Sequence, residues 1–244
     1  MTGRWIQQWI LAGLRRADHI ACISDATKFD VLRLTGQREK RRLIIPLGVP
    51  KAPSATAVLR EAFLQQFAHL RDRRFLLFLG RLHPKKGCDF LVQAFAEMRP
   101  PLDLVLAGPD ASPHYKAELT RLAQGLPITF TGMIEGDVKA GALVSADALI
   151  LPSHQENFGL VVAEALSFGT PVLVSAQVNI TEEVQSFGAG FVEPDTLAGT
   201  RRLLERWLEH GDSTMRAAAL ACFQQRFDIE RSARGLLKIL TDDG

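Results

Sequence analysis

A chain of 244 residues with 47% hydrophobic and 23% charged residues carries too much core-forming material for a disordered segment. It exceeds the usual single-domain size of about 100 to 200 residues, so one large domain, or one domain with part of another, is expected. The net charge of +2 is spread over interspersed acids and bases, which excludes a continuous basic track and leaves nucleic acid off the list of partners.

In chain order, the start MTGRWIQQWILAGLRR places Trp5, Ile6, Trp9, Ile10 and Leu14 at helical spacing. The apolar run is too short to span a bilayer and is interrupted by Gln7 and Gln8. With Arg4, Arg15 and Arg16 at its flanks it permits peripheral contact with a membrane surface, and packing on neighbouring protein is the plainer alternative. ADHIACIS (17 to 24) and RLIIPLGV (42 to 49) read as strands joined by a helix that starts at the capping residue Ser24 and ends near Gly36. PKAPSATA (50 to 57) reads as a linker. FLLFLG (75 to 80), LDLVLAG (102 to 108), ITFTG (128 to 132), ADALILPS (146 to 153) and PVLVS (171 to 175) then read as buried strands. GCDFLVQAFAEM, YKAELTRLAQ and FGLVVAEALSF between them have helical character, and the pattern is helical from about 195 to the end. This alternation predicts an α/β fold with a doubly wound parallel sheet and helices on both faces.

Two strand-to-helix junctions carry the chemistry. GRLHPKKG (80 to 87) follows a strand and precedes a helix, where helix N-termini favour anions, so Arg81 and Lys86 stand where a phosphate would sit. It is not a Walker A loop, because Lys86 precedes Gly87 and Cys88 takes the Ser/Thr position, and no G-x-G-x-x-G occurs. HQENFGLVVAEALSFGTPV (154 to 172) repeats the junction, with Glu156 before a glycine turn and Glu164 inside an apolar helix. Glu164 is therefore expected to be shielded from water and to need a polar partner, either a structural one or sugar hydroxyls. His154 and Glu156 form H-x-E without a following P-C-x-x-C, so no zinc site is expected. His83 sits in the first loop, within reach of a phosphate or simply exposed. Asn179-Ile180-Thr181 is read as a loop near the same site. Cys22, Cys88 and Cys222 are odd in number and form no C-x-x-C pair, which fits a reducing cytosol.

Glu156-Asn157-Phe158-Gly159, Glu164-Ala165 and Gly169-Thr170-Pro171-Val172 resemble the E-x(7)-E signature of retaining GT-B glycosyltransferases, the large group called family 4 or group 1. IACISDATKFDVLRLTG, IIPLGV, GRLHPKKG and ITFTGMI fall in that family's order, so the resemblance covers almost the whole chain. It implies a sugar transfer, of hexosyltransferase type in glycan biosynthesis, from a nucleotide-diphosphate sugar to a glycan or lipid-linked acceptor. The cysteine pattern and the amphipathic N-terminal stretch point to a location in the cytoplasm or at the inner membrane surface. Arg81 and Lys86 would bind the diphosphate, Glu156 the transferred sugar and Glu164 the ribose. Gly80, Asn157 and the backbone of Phe158, Gly159 and Leu160 would line the donor site, and the main chain of Met133 and Ile134 would meet the base. No metal and no cofactor is implied, and the sequence contains no D-x-D.

By the same resemblance, residues 1–49 would be the end of an N-terminal acceptor-binding domain. Residues 50–244 would be the nucleotide-sugar donor-binding domain, ending in helices that cross back. Such a chain is expected to transfer poorly alone. The alternative is a non-catalytic nucleotide-sugar-binding or interaction subunit, docking on a separate acceptor-domain chain through Trp5, Trp9, Leu236, Leu237 and Ile239.

Overall fold

The computed structural model describes residues 3–17, 20–36 and 42–241. Helix α1 (Gly3–Arg16) leads into β1 (Ile20–Cys22), which pairs in parallel with β2 (Arg42–Ile44) across α2 (Asp25–Thr35). α2 is bounded by the residues the sequence marks: Ser24 Oγ accepts from the Thr27 amide, and Gly36, at φ 65°, donates its amide to Leu32 O. Trp9 and Ile10 stand exposed on α1. The side chains of Trp5, Ile6 and Ile239 lie outside the described residues. Among those described, no helix is long and apolar enough to cross a membrane.

The main sheet is six-stranded and parallel. It contains β3 (Phe75–Leu79), β4 (Asp103–Ala107), β5 (Ile128–Gly132), β6 (Ala148–Leu151), β7 (Val172–Ser175) and β8 (Gly190–Glu193) in the spatial order β5-β4-β3-β6-β7-β8. β3, β4, β6 and β7 are buried at every residue, which requires cover on both faces and explains their unbroken apolar runs. Right-handed crossovers that first run outward to β5 and then restart at β6 put their helices on opposite faces. α4 (Cys88–Met98) packs against α5 (Pro113–Leu122) and α9 (Leu197–His210). α3 (Thr56–Gln66) packs against α6 (Gly136–Ser145), and α10 (Thr214–Cys222) against α7 (Leu160–Ser167) and α8 (Thr181–Phe187). Phe63, Phe75, Phe78 and Phe95 are fully buried between these layers, each ring contributing about 2 to 3 kcal/mol by removal from water.

The expected strands are all present; β5 matches at both ends, and the others are shorter than expected at one end or both. β8 and the helices α3, α6 and α8 are additions to the sequence reading, and the linker at 50–57 runs two residues into α3. α6 carries little helical periodicity because it must lie close to α3: a Cβ on Gly141 would stand 2.0 Å from Leu59 O. After a π turn at Phe223–Phe227, α11 (Ile229–Thr241) runs back beside residues 46–49. Val49 N donates to Phe227 O, Ile229 N to Val49 O and Ser232 Oγ to Pro46 O. Leu236 and Leu237 on α11 are exposed.

β3 and β6 are neighbours whose following connections lead in opposite directions, so the crevice of the fold opens beyond Leu79 and Leu151. Both junctions singled out in the sequence lie there.

Candidate functional site

The loop after β3 is held from both sides. Leu82 donates to Pro109 O at 2.9 Å and accepts from Ala111 N at 3.0 Å, and a Cβ on Gly108 would stand 2.0 Å from Gly80 O. Pro84–Lys86 form a single 3-10 turn, capped by His83, whose Nδ1 accepts from the Lys85 amide at 3.0 Å. Gly87 follows at φ 68°, a left-handed conformation, where a Cβ would lie 2.2 Å from Pro152 O. His154 N donates to Lys85 O at 2.8 Å. The two junctions are thus in backbone contact.

The loop after β6 is held in the same manner. Glu156 N donates to Gln177 O at 3.2 Å and Asn179 Nδ2 to Asn157 O at 2.8 Å, so the Asn179 loop does lie beside the site. Phe158 is buried edge-on against Phe227, their centroids 5.9 Å apart. Gly159, at φ 87°, starts α7 close to Val178.

Across this crevice Lys86 Nζ meets Glu156 Oε2 in an ion pair. Both side chains are mostly shielded, at 26% and 19% exposure. Arg81, His83, Lys85, Gln155 and Asn157 line the same open cleft of about 490 Å3, a volume suited to a small ligand. Its walls carry three cationic side chains, Arg81, Lys85 and Lys86, against one carboxylate, Glu156. The arrangement favours an anion, and the Glu156 carboxylate, in contact with Lys86, is an acceptor of hydrogen bonds.

The two helix ends are not equivalent. α7 begins with no side-chain cap and no acid in its first turn, so its amides can serve a ligand. α4 is already served: Asp89 stands in its first turn, the Asp89 amide donates to the Tyr115 hydroxyl, and that hydroxyl donates to Asp89 Oδ1 at 2.9 Å. Burial pushes the Tyr115 hydroxyl up, which keeps it a donor, and pushes the Cys88 thiol up to about 12, which keeps it inert. One open helix terminus therefore faces the cleft where the sequence suggested two.

The expectation that Glu164 is shielded from water is corrected. Its side chain is 32% exposed and accepts from Lys139 Nζ at 2.8 Å. Leu160 and Glu164, four residues apart, lie on a narrow stripe of α7 that the core leaves partly uncovered; Leu160 is apolar, which hides the stripe in the sequence. Beyond β5, Met133 is 65% exposed while Ile134 is buried, so Ile134 can offer a ligand only its main chain. Gly80 follows β3 with its amide bound to Ala107 O, and Leu160 opens α7 half-exposed.

The structure therefore brings Arg81, Lys86, Glu156, Asn157, Phe158 and Gly159 together at one crevice. Glu164 stands on α7 facing α6. Sequence reasoning missed Lys139, and it missed Asp195, whose Oδ2 lies 3.3 Å from His154 Nδ1 and whose Oδ1 accepts from Gln177 Nε2. Both are isolated charges with no motif around them. His154 and Glu156 turn to different partners, and no cluster of three or more His, Cys, Asp or Glu side chains suited to a metal occurs among the described residues.

The family described as "Glycosyl transferases group 1" matches residues 60–219. The D-inositol 3-phosphate glycosyltransferase of Xylanimonas cellulosilytica is 30% identical over 223 residues, covering 86% of this chain and 53% of that one. The GDP-mannose-dependent alpha-(1-6)-phosphatidylinositol dimannoside mannosyltransferase of Mycobacterium tuberculosis is 33% identical over 172 residues, covering 68% and 43%. The chain thus spans about half the length of these curated relatives. Among solved structures, HepE of Anabaena in complex with UDP and glucose superposes with a TM-score of 0.83 at 22% identity, covering 98% of this chain and 68% of that one. Such neighbours are GT-B glycosyltransferases, and the α/β doubly wound fold expected from the sequence is the one observed.

Proposed function

The chain belongs to the group 1 glycosyl transferase family, and from that premise we propose that it is the donor-binding half of a retaining, metal-independent glycosyltransferase using a nucleotide-diphosphate sugar. The observation that carries the reading is the Lys86–Glu156 pair across the crevice, with Arg81 in the same wall.

Departure of a nucleoside diphosphate builds negative charge on the leaving oxygens. Lys86, held on Glu156, and the amides at the start of α7 are in place before that charge develops, which is the condition under which such groups lower a barrier most, and Arg81 lines the same wall. The same cations supply the charge that a divalent ion would otherwise bring. Glu156, shared with Lys86, accepts from hydroxyls of the transferred sugar. Its role is to orient the sugar while the acceptor attacks on the face the diphosphate leaves, which retains configuration. Glu164 takes the ribose hydroxyls, and the main chain at Met133 and Ile134 meets the base.

The acceptor, a glycan or a lipid-linked species, is held by the half of the relatives' length that this chain does not span. Residues 1–49 are read as belonging to that acceptor-side domain. A cytoplasmic, peripheral membrane site of action agrees with this reading. HepE is seen with UDP and glucose, which supports a nucleotide sugar as the ligand class here. The exposed Trp9, Ile10 and Leu237 favour a second reading, a subunit that docks on a separate acceptor-domain chain.

The test supplies an acceptor-side half from a relative and follows the anomeric configuration of the product by NMR, with and without EDTA. Transfer with retained configuration, unchanged by the chelator, is expected. An inverted product would refute the retaining mechanism. Stable complex formation without transfer would favour the docking subunit.

A further inference from the structure

Lys139 Nζ touches one carboxylate oxygen of Glu164, Oε1, and the other oxygen carries no bond among the described residues. Both side chains are one-third exposed, so the pair adds little to the stability of the fold. Its place is more telling than its strength. Glu164 lies four residues beyond Leu160, about 6 Å along the helix from the mouth of the cleft, on the same stripe. Lys139 stands in the first turns of α6, five residues past Ile134. The pair therefore spans the gap between the helix that opens at the diphosphate cleft and the helix that follows the expected base position.

A pentose lying over this gap would dry Glu164. A carboxylate covered by neutral hydroxyls alone would be a charge without a counter-charge, which is strongly unfavourable once water is excluded. A cation already seated on one oxygen removes that difficulty, fixes the rotamer of the carboxylate and leaves the second oxygen for a pair of vicinal hydroxyls. We infer that Lys139 is a positioning residue for the pentose of the donor, holding the Glu164 carboxylate oriented so that the site prefers a ribonucleoside diphosphate to its 2′-deoxy counterpart. This rests on the donor-site reading given above.

The test is calorimetric titration of the wild-type chain, Lys139→Met and Lys139→Arg with UDP, GDP, ADP, their 2′-deoxy analogues and inorganic pyrophosphate. Methionine keeps the length of the side chain and removes its charge. The wild type is expected to prefer the ribonucleotide. Lys139→Met should lose about fivefold in affinity for it, the scale of one partly exposed ion pair, and so lose the preference. Pyrophosphate binding should be unchanged, and Lys139→Arg should keep the preference. A Lys139→Met variant that keeps the full preference, or binds the ribonucleotide more tightly, overturns the inference, as does a loss shared with pyrophosphate. A wild type that binds nucleoside diphosphates without preferring ribose overturns it too while leaving the donor site standing. If the wild type binds none of the three nucleotides, the donor-site reading itself fails and the inference with it.

Discussion

The two ends of the main sheet use the same residue types to opposite effect. At the amino ends of β3, β4 and β6, arginines are matched to carboxylates or carbonyls. Arg73 grips Asp103 through two bonds, Arg71 grips Glu61 through two, and Arg74 reaches Asp147 at 2.6 Å. Arg216 donates to Ala146 O at 2.6 Å, at the carbonyl end of α6, where a cation is favoured, although burial pulls its guanidinium below the usual arginine range. At the carboxyl ends of β3 and β6, three cationic side chains share one carboxylate and an uncapped helix start. A matched arginine is a structural part. A surplus of cations at a strand end with open amides is a place for an anion.

Substitutions on the two ends sharpen or break that contrast. The largest effect is expected from Gly87→Ala. The new Cβ would meet Pro152 O and the backbone would stay left-handed, so the two junctions would be forced apart at a cost of about 3 to 5 kcal/mol. Urea unfolding measures it, and a loss under 1 kcal/mol would mean that the junctions are not packed as described. Next come the crossed arginines. Arg81→Ala should weaken nucleoside diphosphate binding by about ten- to a hundredfold with little change in the unfolding midpoint, as for a charge-assisted hydrogen bond to a ligand. Arg73→Ala should do the reverse, lowering the midpoint because Asp103 is left buried without its partner, while binding stays as in the wild type. If Arg73→Ala impaired binding and Arg81→Ala did not, the contrast would be lost.

The smallest effect is expected at Glu193. Burial raises this carboxyl, but hydrogen bonds and charge from Arg202 and Arg206 outweigh that and hold it below the usual carboxylate range. Folding therefore favours the ionised form. The stabilisation is complete above the ordinary carboxylate value of 4.5 and is lost as pH falls through the depressed native value. Glu193→Gln should cost about 1 kcal/mol or less at neutral pH and progressively less as pH falls below 4.5 toward the depressed native value, read from urea midpoints along that range.

Much of this was legible in the sequence because the central strands are buried on both faces and so appear as unbroken apolar runs, and because α2 carries both of its caps, Ser24 and Gly36. β8 was not legible: GFVE is a four-residue edge strand begun by a glycine that must lie against Val172 O. α6 was hidden by the small residues its contact with α3 demands. At the site, Arg81, Lys86 and Glu156 could be read from local spacing, since each sits a few residues past a strand. The Lys139–Glu164 pair could not, because 25 residues separate its members and they sit on different helices, α6 and α7.

The central claim is that the crevice between β3 and β6 receives a nucleoside diphosphate. Calorimetric titration of the intact chain with UDP, GDP and ADP, repeated on the Lys86→Ala variant, tests it most directly. Saturable one-to-one binding of at least one nucleotide, reduced about tenfold or more by the substitution, is the predicted result. Absence of binding by all three, or binding indifferent to the loss of Lys86, would contradict it.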